Sequence, residues 1–346
     1  MSHAERPLVL LDPFPRDNAS ILRAGDRARL EQMAELVTVE NGAVSDEVVD
    51  ACLPRVVAIL GQTALPRARI ERAVNLRAVF NVEGNFFPNV DYAACFERGI
   101  RVACSAPAFV RPVAEYALAL ALDLQRGVSS ADRAMRAGCE RYGRHGNFGV
   151  RSLFGAAVGI IGMGNIARAL IFLLAPFACT VRAFDPWLPD AVLREHGAEP
   201  ASLHELLAAS QVVFVLAAPT AVNRHFIAGA ELARLPDGAG IVLLSRAEVV
   251  DFDALLAELR SGRIRAAIDV FPQEPLEAQH PLRGIDAAVL SAHRAGGLDS
   301  ALKLIGEMAV DDLALVLRGL PPVRLQSAQP ETVGLLRSKP GNAGKP

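Results

Sequence analysis

Three polar side chains stand at the ends of short apolar runs, where a parallel sheet would offer them to a ligand. Arg246 closes Leu243-Leu244-Ser245-Arg246, Glu274 lies in Asp269-Val270-Phe271-Pro272-Gln273-Glu274-Pro275, and His293 follows Ser291-Ala292. Their types suit one kind of chemistry. A guanidinium is a fixed fork of donors that matches a carboxylate and a neighbouring carbonyl oxygen. An imidazole gives or takes a proton near neutral pH, and a carboxylate beside it keeps it charged and oriented. With a source of hydride, this set would reduce a 2-oxo acid at C2 or oxidise the 2-hydroxy acid. Taken singly, each has a plainer explanation: a surface cation, a loop residue before proline, a strand-end histidine. All three in this arrangement favour the chemistry.

The hydride source has its own signature. Val158-Gly159-Ile160-Ile161-Gly162-Met163-Gly164-Asn165-Ile166-Ala167 reads as a buried strand, a G-x-G-x-x-A turn and the start of a helix. Gly162 permits the tight turn, Gly164 lets backbone approach a pyrophosphate, and Ala167 allows close helix–strand packing; the helix N-terminus at Asn165 and Ile166 adds amides and a favourable dipole. The next strand ends at Asp185, 185 − 164 = 21 positions after the second glycine. An acid there accepts the hydroxyls of an adenosine ribose, and it would repel a 2′-phosphate. NAD is therefore expected over NADP.

These residues need a scaffold, and the hydrophobic pattern supplies one. Apolar runs alternate with helical stretches, the signature of parallel βαβ units. A first set covers Leu8–Asp12, Val56–Leu60, Leu76–Val82 and Ile100–Cys104; a second covers Ala156–Gly162, Thr180–Asp185, Val212–Ala218, Gly240–Ser245, Ala266–Phe271 and Ala287–Ala292. Between them runs an apolar helix, about Val113 to Gln125, with Pro112 at a first-turn position. A last helix, Asp299 to Leu317, is expected to pack back on the first unit. The fold class is thus α/β with two Rossmann-like or flavodoxin-like parallel-sheet domains. The NAD-binding domain (111–297) is inserted in a discontinuous substrate-binding domain (1–110 and 298–325), and residues 326–346 form a weakly structured tail.

Composition narrows the function. The net charge of -2, from 36 basic and 38 acidic residues, offers no pull toward nucleic acid or anionic membrane. The longest apolar stretch, Val113 to Leu124, is short of the ~18 residues that span a bilayer and carries Glu115 and Asp123. The N-terminus has no apolar segment of the signal-peptide kind. Five scattered cysteines without C-x-x-C spacing fit a reducing cytoplasm and small core thiols, and no metal site is expected.

Taken together, the Arg246-Ala247-Glu248-Val249-Val250-Asp251, Asp-Val-Phe-x-x-Glu-Pro and His-x-x-Gly segments, in this order after the nucleotide fingerprint, resemble the D-isomer-specific 2-hydroxyacid dehydrogenases over about Val56 to Pro321. The resemblance implies an NAD-dependent oxidoreductase in which Arg246 binds substrate, His293 is the acid/base and Glu274 pairs with it. It puts Asp269, Gly296 and the backbone at Leu244, Ser245 and Arg246 toward the nicotinamide, and Ala217 along the adenosine. It makes Asn85 and Phe86 part of a loop whose amides hold the substrate carboxylate. It also suggests a homodimer packed through the Val113–Gln125 helix. Some positions depart from the family: Ala247 for the usual Gly, Ala292 for Pro, Leu216-Ala217-Ala218 for His-x-Pro, and in the loop Phe86 for Gly and Pro88 for Asp. The pocket should differ accordingly, and the substrate stays open. Relatives in the family that sense NAD as transcriptional corepressors supply an alternative, a binding protein with vestigial catalysis.

Overall fold

The computed structural model describes residues 6–335, with 148 excepted. The chain divides into two units: unit 1 is Met1–Phe109 with Gly297–Pro346, and unit 2 is Val110–Gly296.

Unit 1 is built on strands β1 (Leu8–Asp12), β2 (Glu35–Thr38), β3 (Val56–Gly61), β4 (Ala78–Asn81) and β5 (Arg101–Cys104), joined by β13 (Gln326–Ser327). The sheet order is β13-β5-β4-β3-β1-β2, and all pairs are parallel except β13 with β5. Unbroken apolar runs such as Leu8–Leu11 are buried on both faces, as a helix-covered parallel sheet requires. One face carries the helix Asp299–Leu317, whose Ile305, Met308, Leu313 and Val316 pack with Val9, Leu11, Ala58 and Phe80. Gly306 is needed there, because an added Cβ would lie 2.2 Å from the carbonyl oxygen of Ile21.

Unit 2 holds β6 (Ala157–Ile161), β7 (Thr180–Phe184), β8 (Glu199–Pro200), β9 (Val212–Val215), β10 (Gly240–Leu243), β11 (Arg265–Ile268) and β12 (Ala288–Leu290). All are parallel in the order β12-β11-β10-β9-β6-β7-β8. The chain leaves β6 in one direction through β7 and β8, then returns to the other side with β9. That reversal opens a crevice at the carboxyl ends of β6 and β9, where such sheets bind ligands.

Three features depart from the sequence expectation. Strands β2 and β8 were absent from it, being short edge strands with little apolar content. The helix expected from Val113 spans Ala106–Arg126, so Pro112 lies well inside it rather than in its first turn. Pro112 cannot donate to the carbonyl of Ala108, a cost that the buried face of Ala108, Ala114, Ala117 and Ala121 offsets. Finally, the stretch from Gln326 is not all weakly structured. Strand β13 pairs with β5, and Ala328 and Val333 are buried in the unit 1 core. The remainder from 336 lies outside the described residues.

Candidate active site

Every residue singled out in unit 2 falls at the carboxyl edge of its sheet. Gly162 follows β6, Asp185 follows β7, Ala217 follows β9, Arg246 follows β10, Asp269 and Glu274 follow β11, and His293 follows β12. The sheet order makes β10, β11 and β12 neighbours, which brings the arginine, the acid and the histidine to three adjacent strand ends.

The glycine turn is shaped by two different demands. Gly162 has φ +92°, and a Cβ on it would lie 2.6 Å from both the Cα and the N of Ala217. Only glycine fits between the two strand ends. Gly164 caps the helix Asn165–Leu174, and a Cβ there would meet nothing within 4 Å. The space over Gly164 is open, as the backbone approach of a pyrophosphate requires. Asn165 is exposed and Ile166 half-buried on the first turn, while Ala167 is fully buried against the sheet.

Asp185 does more than wait for a ribose. Its Oδ2 accepts from the Met163 amide at 2.8 Å, and its Oδ1 from the Trp187 amide at 2.9 Å. The carboxylate thus fixes the glycine turn and its own loop together. Ser245 has its hydroxyl oxygen buried without a partner, next to buried Leu244. An open cradle over Gly164 and an orphaned hydroxyl after β10 both fit a bound dinucleotide.

The acid–base pair is direct. His293 Nδ1 and Glu274 Oε2 are 2.7 Å apart, and Glu274 Oε1 accepts from the Phe271 amide at 2.9 Å. The anchored carboxylate assigns a proton to Nδ1 and leaves Nε2 for chemistry. His293 sits at φ +48°, in the left-handed region a non-glycine residue rarely occupies. Asp269 explains how it is held. Its carboxylate, fully buried, accepts from the Ser291 hydroxyl and from the amides of Arg294 and Ala295, each at 3.1 Å. Its own carbonyl accepts from the His293 amide at 2.7 Å. The sequence reading linked Asp269 to the nicotinamide end; the structure ties its carboxylate to the loop that carries His293. Ser291 is a positioning residue that the sequence alone does not reveal, since a hydroxyl two residues before a histidine carries no signal of its own.

Arg246 is half-buried, with Nη1 donating to the Ser245 carbonyl at 2.6 Å. Gly296 is the last residue of unit 2. In unit 1, Asn85 is half-buried, while the Phe86 ring is buried in the core and meets Tyr92 edge-on, centroids 6.2 Å apart. What the loop has to offer at Phe86 is therefore its backbone. Burial pushes the Tyr92 hydroxyl above its ordinary range, so it stays protonated and donates to the Phe87 carbonyl at 2.6 Å, pinning the loop. Among the described residues no cluster of three or more metal-ligating side chains is found.

This fold and edge geometry define a dinucleotide-binding unit carrying an acid–base pair. Residues 118–295 match the family model for the NAD-binding domain of D-isomer specific 2-hydroxyacid dehydrogenases, and the chain belongs to that family. It is similar to the crystal structure of a phosphoglycerate oxidoreductase from Rhizobium etli, with 42% identity and a TM-score of 0.84, covering 94% of this chain and 100% of that one. A D-3-phosphoglycerate dehydrogenase of Methanocaldococcus jannaschii is 28% identical over 90% of this chain and 57% of its own length. A glyoxylate reductase of Korarchaeum cryptofilum is 30% identical over 68% of this chain and 72% of its own. The chain spans little more than half the length of the phosphoglycerate dehydrogenases that it matches.

Proposed function

We propose that the protein is an NAD-dependent dehydrogenase that interconverts a small 2-oxo acid and its D-2-hydroxy acid. The observation that carries this reading is the 2.7 Å pair of His293 with an anchored Glu274, on the two strand ends next to that of Arg246 in an NAD-binding domain. The dinucleotide, held by the turn at Gly162 and Gly164, by Asp185 and by the backbone beside Ala217 and Ser245, would supply or accept the hydride. Arg246 orients the substrate carboxylate and draws charge toward the carbonyl oxygen through its forked donors. In reduction, His293 Nε2 gives its proton to the oxygen at C2; in oxidation it takes that proton back. Glu274 holds the ring at Nδ1 and balances the imidazolium charge. The amides at Asn85 and Phe86 are proposed as carboxylate contacts.

The assay is NADH oxidation with a panel of 2-oxo acids. His293→Ala should lose ~10²–10⁴-fold in turnover while still binding NADH. A mutant as active as wild type would refute the assignment, and so would a protein inert toward the whole panel. The matched relatives are named as enzymes, and none supports the corepressor-like alternative.

A homodimer is proposed through the apolar helix read at Val113–Gln125, which spans Ala106–Arg126, together with the helix that follows. That second helix, Val128–Ala137, has no buried residue, and it exposes Val128 and Met135. An amphipathic helix without a partner in its own unit favours a second copy. A reducing, cytoplasmic setting is supported by five free cysteines.

A further inference from the structure

In unit 2 the helix Phe252–Ser261 joins β10 to β11, and the segment 272–282 leads from β11 toward β12. Phe252, Leu255, Leu256 and Leu259 stand at the spacing of one helix face, the kind of stripe that packs against a partner. The partner here is incomplete. Between this face and the segment lies a cavity of about 270 Å³. Leu255 and Leu259 are buried in the core with Ile268 and Leu282, which also line the cavity, while Phe252 and Leu256 stay half-buried at its wall. Packed interiors hold few voids larger than a water molecule, and lining atoms with nothing opposite forfeit their dispersion contacts. An engineered cavity of about 150 Å³ lined by such side chains stays dry and takes up benzene.

The charged groups at this cavity are of one sign. Asp253 and Glu277 both line it, both are exposed, and neither carboxylate has an ion pair or a hydrogen bond among the described residues. No Lys or Arg lines it. Arg283, close by, grips backbone instead: Nε donates to the Glu277 carbonyl at 2.8 Å and Nη2 to the Leu276 carbonyl at 2.7 Å. His280 Nδ1 accepts from the Leu282 amide at 3.2 Å. A ring nitrogen that accepts carries no proton, so this imidazole lends the cavity no positive charge. A carboxylate or phosphate brought here would meet two like charges. A wholly apolar molecule would fill the void and leave both carboxylates unmatched. A protonated amine on an apolar body does both, since its charge is attracted where its body is buried.

We infer that this cavity is a binding site for a small primary amine, with its apolar body on the face of Phe252, Leu256 and Leu259 and its ammonium group at Asp253 and Glu277. The site lies wholly within unit 2. It uses none of the residues assigned above to the dinucleotide, the substrate or the acid–base pair, so it stands whether or not the dehydrogenase reading does.

The test is calorimetric titration of the intact protein with phenethylamine and with its neutral counterpart phenethyl alcohol, each with and without saturating NADH. The amine should bind at least about fivefold more tightly than the alcohol, and NADH should leave its affinity within about twofold. Asp253→Asn combined with Glu277→Gln should bring the amine down to the affinity of the alcohol and leave the alcohol unchanged. Leu256→Trp fills the cavity and should abolish binding of both. Should the tryptophan variant fail to fold, the carboxylate variants still decide, since both side chains are exposed. Equal affinities of amine and alcohol for wild type would overturn the assignment, as would an amine displaced by NADH or indifferent to the loss of both carboxylates. Binding of neither probe, the result expected if a second copy of the chain covered the cavity, would overturn it too.

Discussion

His293 is held from two sides, its ring by the Glu274 carboxylate 2.7 Å from Nδ1 and its backbone amide by the Asp269 carbonyl at 2.7 Å. One contact sets the ring and the other sets the backbone. Glu274→Gln keeps the shape and removes the charge that balances an imidazolium. Loss of that partner should lower kcat for reduction of a 2-oxo acid by ~10-fold or more while NADH binding is retained. Steady-state kinetics beside an NADH titration carry the test, and a mutant as active as wild type would reduce Glu274 to a loop residue.

Asp185 ties the glycine turn to its own loop through the Met163 and Trp187 amides, and it is the acid proposed to face the adenosine ribose, where a 2′-phosphate would meet like charge. NAD(H) should bind at least tenfold better than NADP(H), about 1.4 kcal/mol. Asp185→Ser should narrow that ratio. Titration with both cofactors measures it, and an unchanged preference would remove Asp185 from cofactor choice.

The two glycines of the turn should fail in different ways. Gly162→Ala forces φ +92° on an L-residue and drives Cβ to 2.6 Å from Ala217. A loss of at least about 1–3 kcal/mol in stability is expected, together with weaker NAD binding. Gly164→Ala adds a methyl to open space. Its melting temperature should stay near wild type while NAD affinity falls at least tenfold. Thermal melts with and without NAD separate the two outcomes.

Unit 1 carries an acid-sensitive ion-pair network. A hydrogen bond from Arg324, 2.9 Å from Glu307 Oε1, holds the Glu307 carboxyl below its usual range, with Arg23 assisting. Burial opposes ionisation of Asp311, but hydrogen bonds from Arg29 and Arg324 outweigh it and hold that carboxyl low as well. Carboxyls depressed in the folded state contribute stability above their unfolded pKa and lose it as pH falls through the folded one. Arg324→Met should therefore destabilise at pH 7, by no more than about 1 kcal/mol given the partial exposure. The difference from wild type should vanish on acidification below both carboxyls. Melts across pH 3–8 would show it; a constant difference would mean lost packing instead.

The βαβ rhythm, the glycine turn and the strand-end positions of Arg246, Glu274 and His293 were legible in the sequence. Each is local: apolar runs announce buried strands, and glycine spacing announces a turn. The order of three motifs then carried the family. Neighbours from distant segments were not legible. That β10, β11 and β12 are adjacent decides which side chains share an edge, and no local pattern encodes a strand order. Nor could spacing show that Asp269 spends its carboxylate on the 291–295 loop, that Phe86 turns into the core, or that the Ser245 hydroxyl is buried without a partner. Hydrogen-bond satisfaction depends on every group within about 3 Å, whatever its place in the chain. The residue types stand in the sequence, and only the packed structure decides whether a given carboxylate or carboxamide meets a protein donor or waits for a ligand.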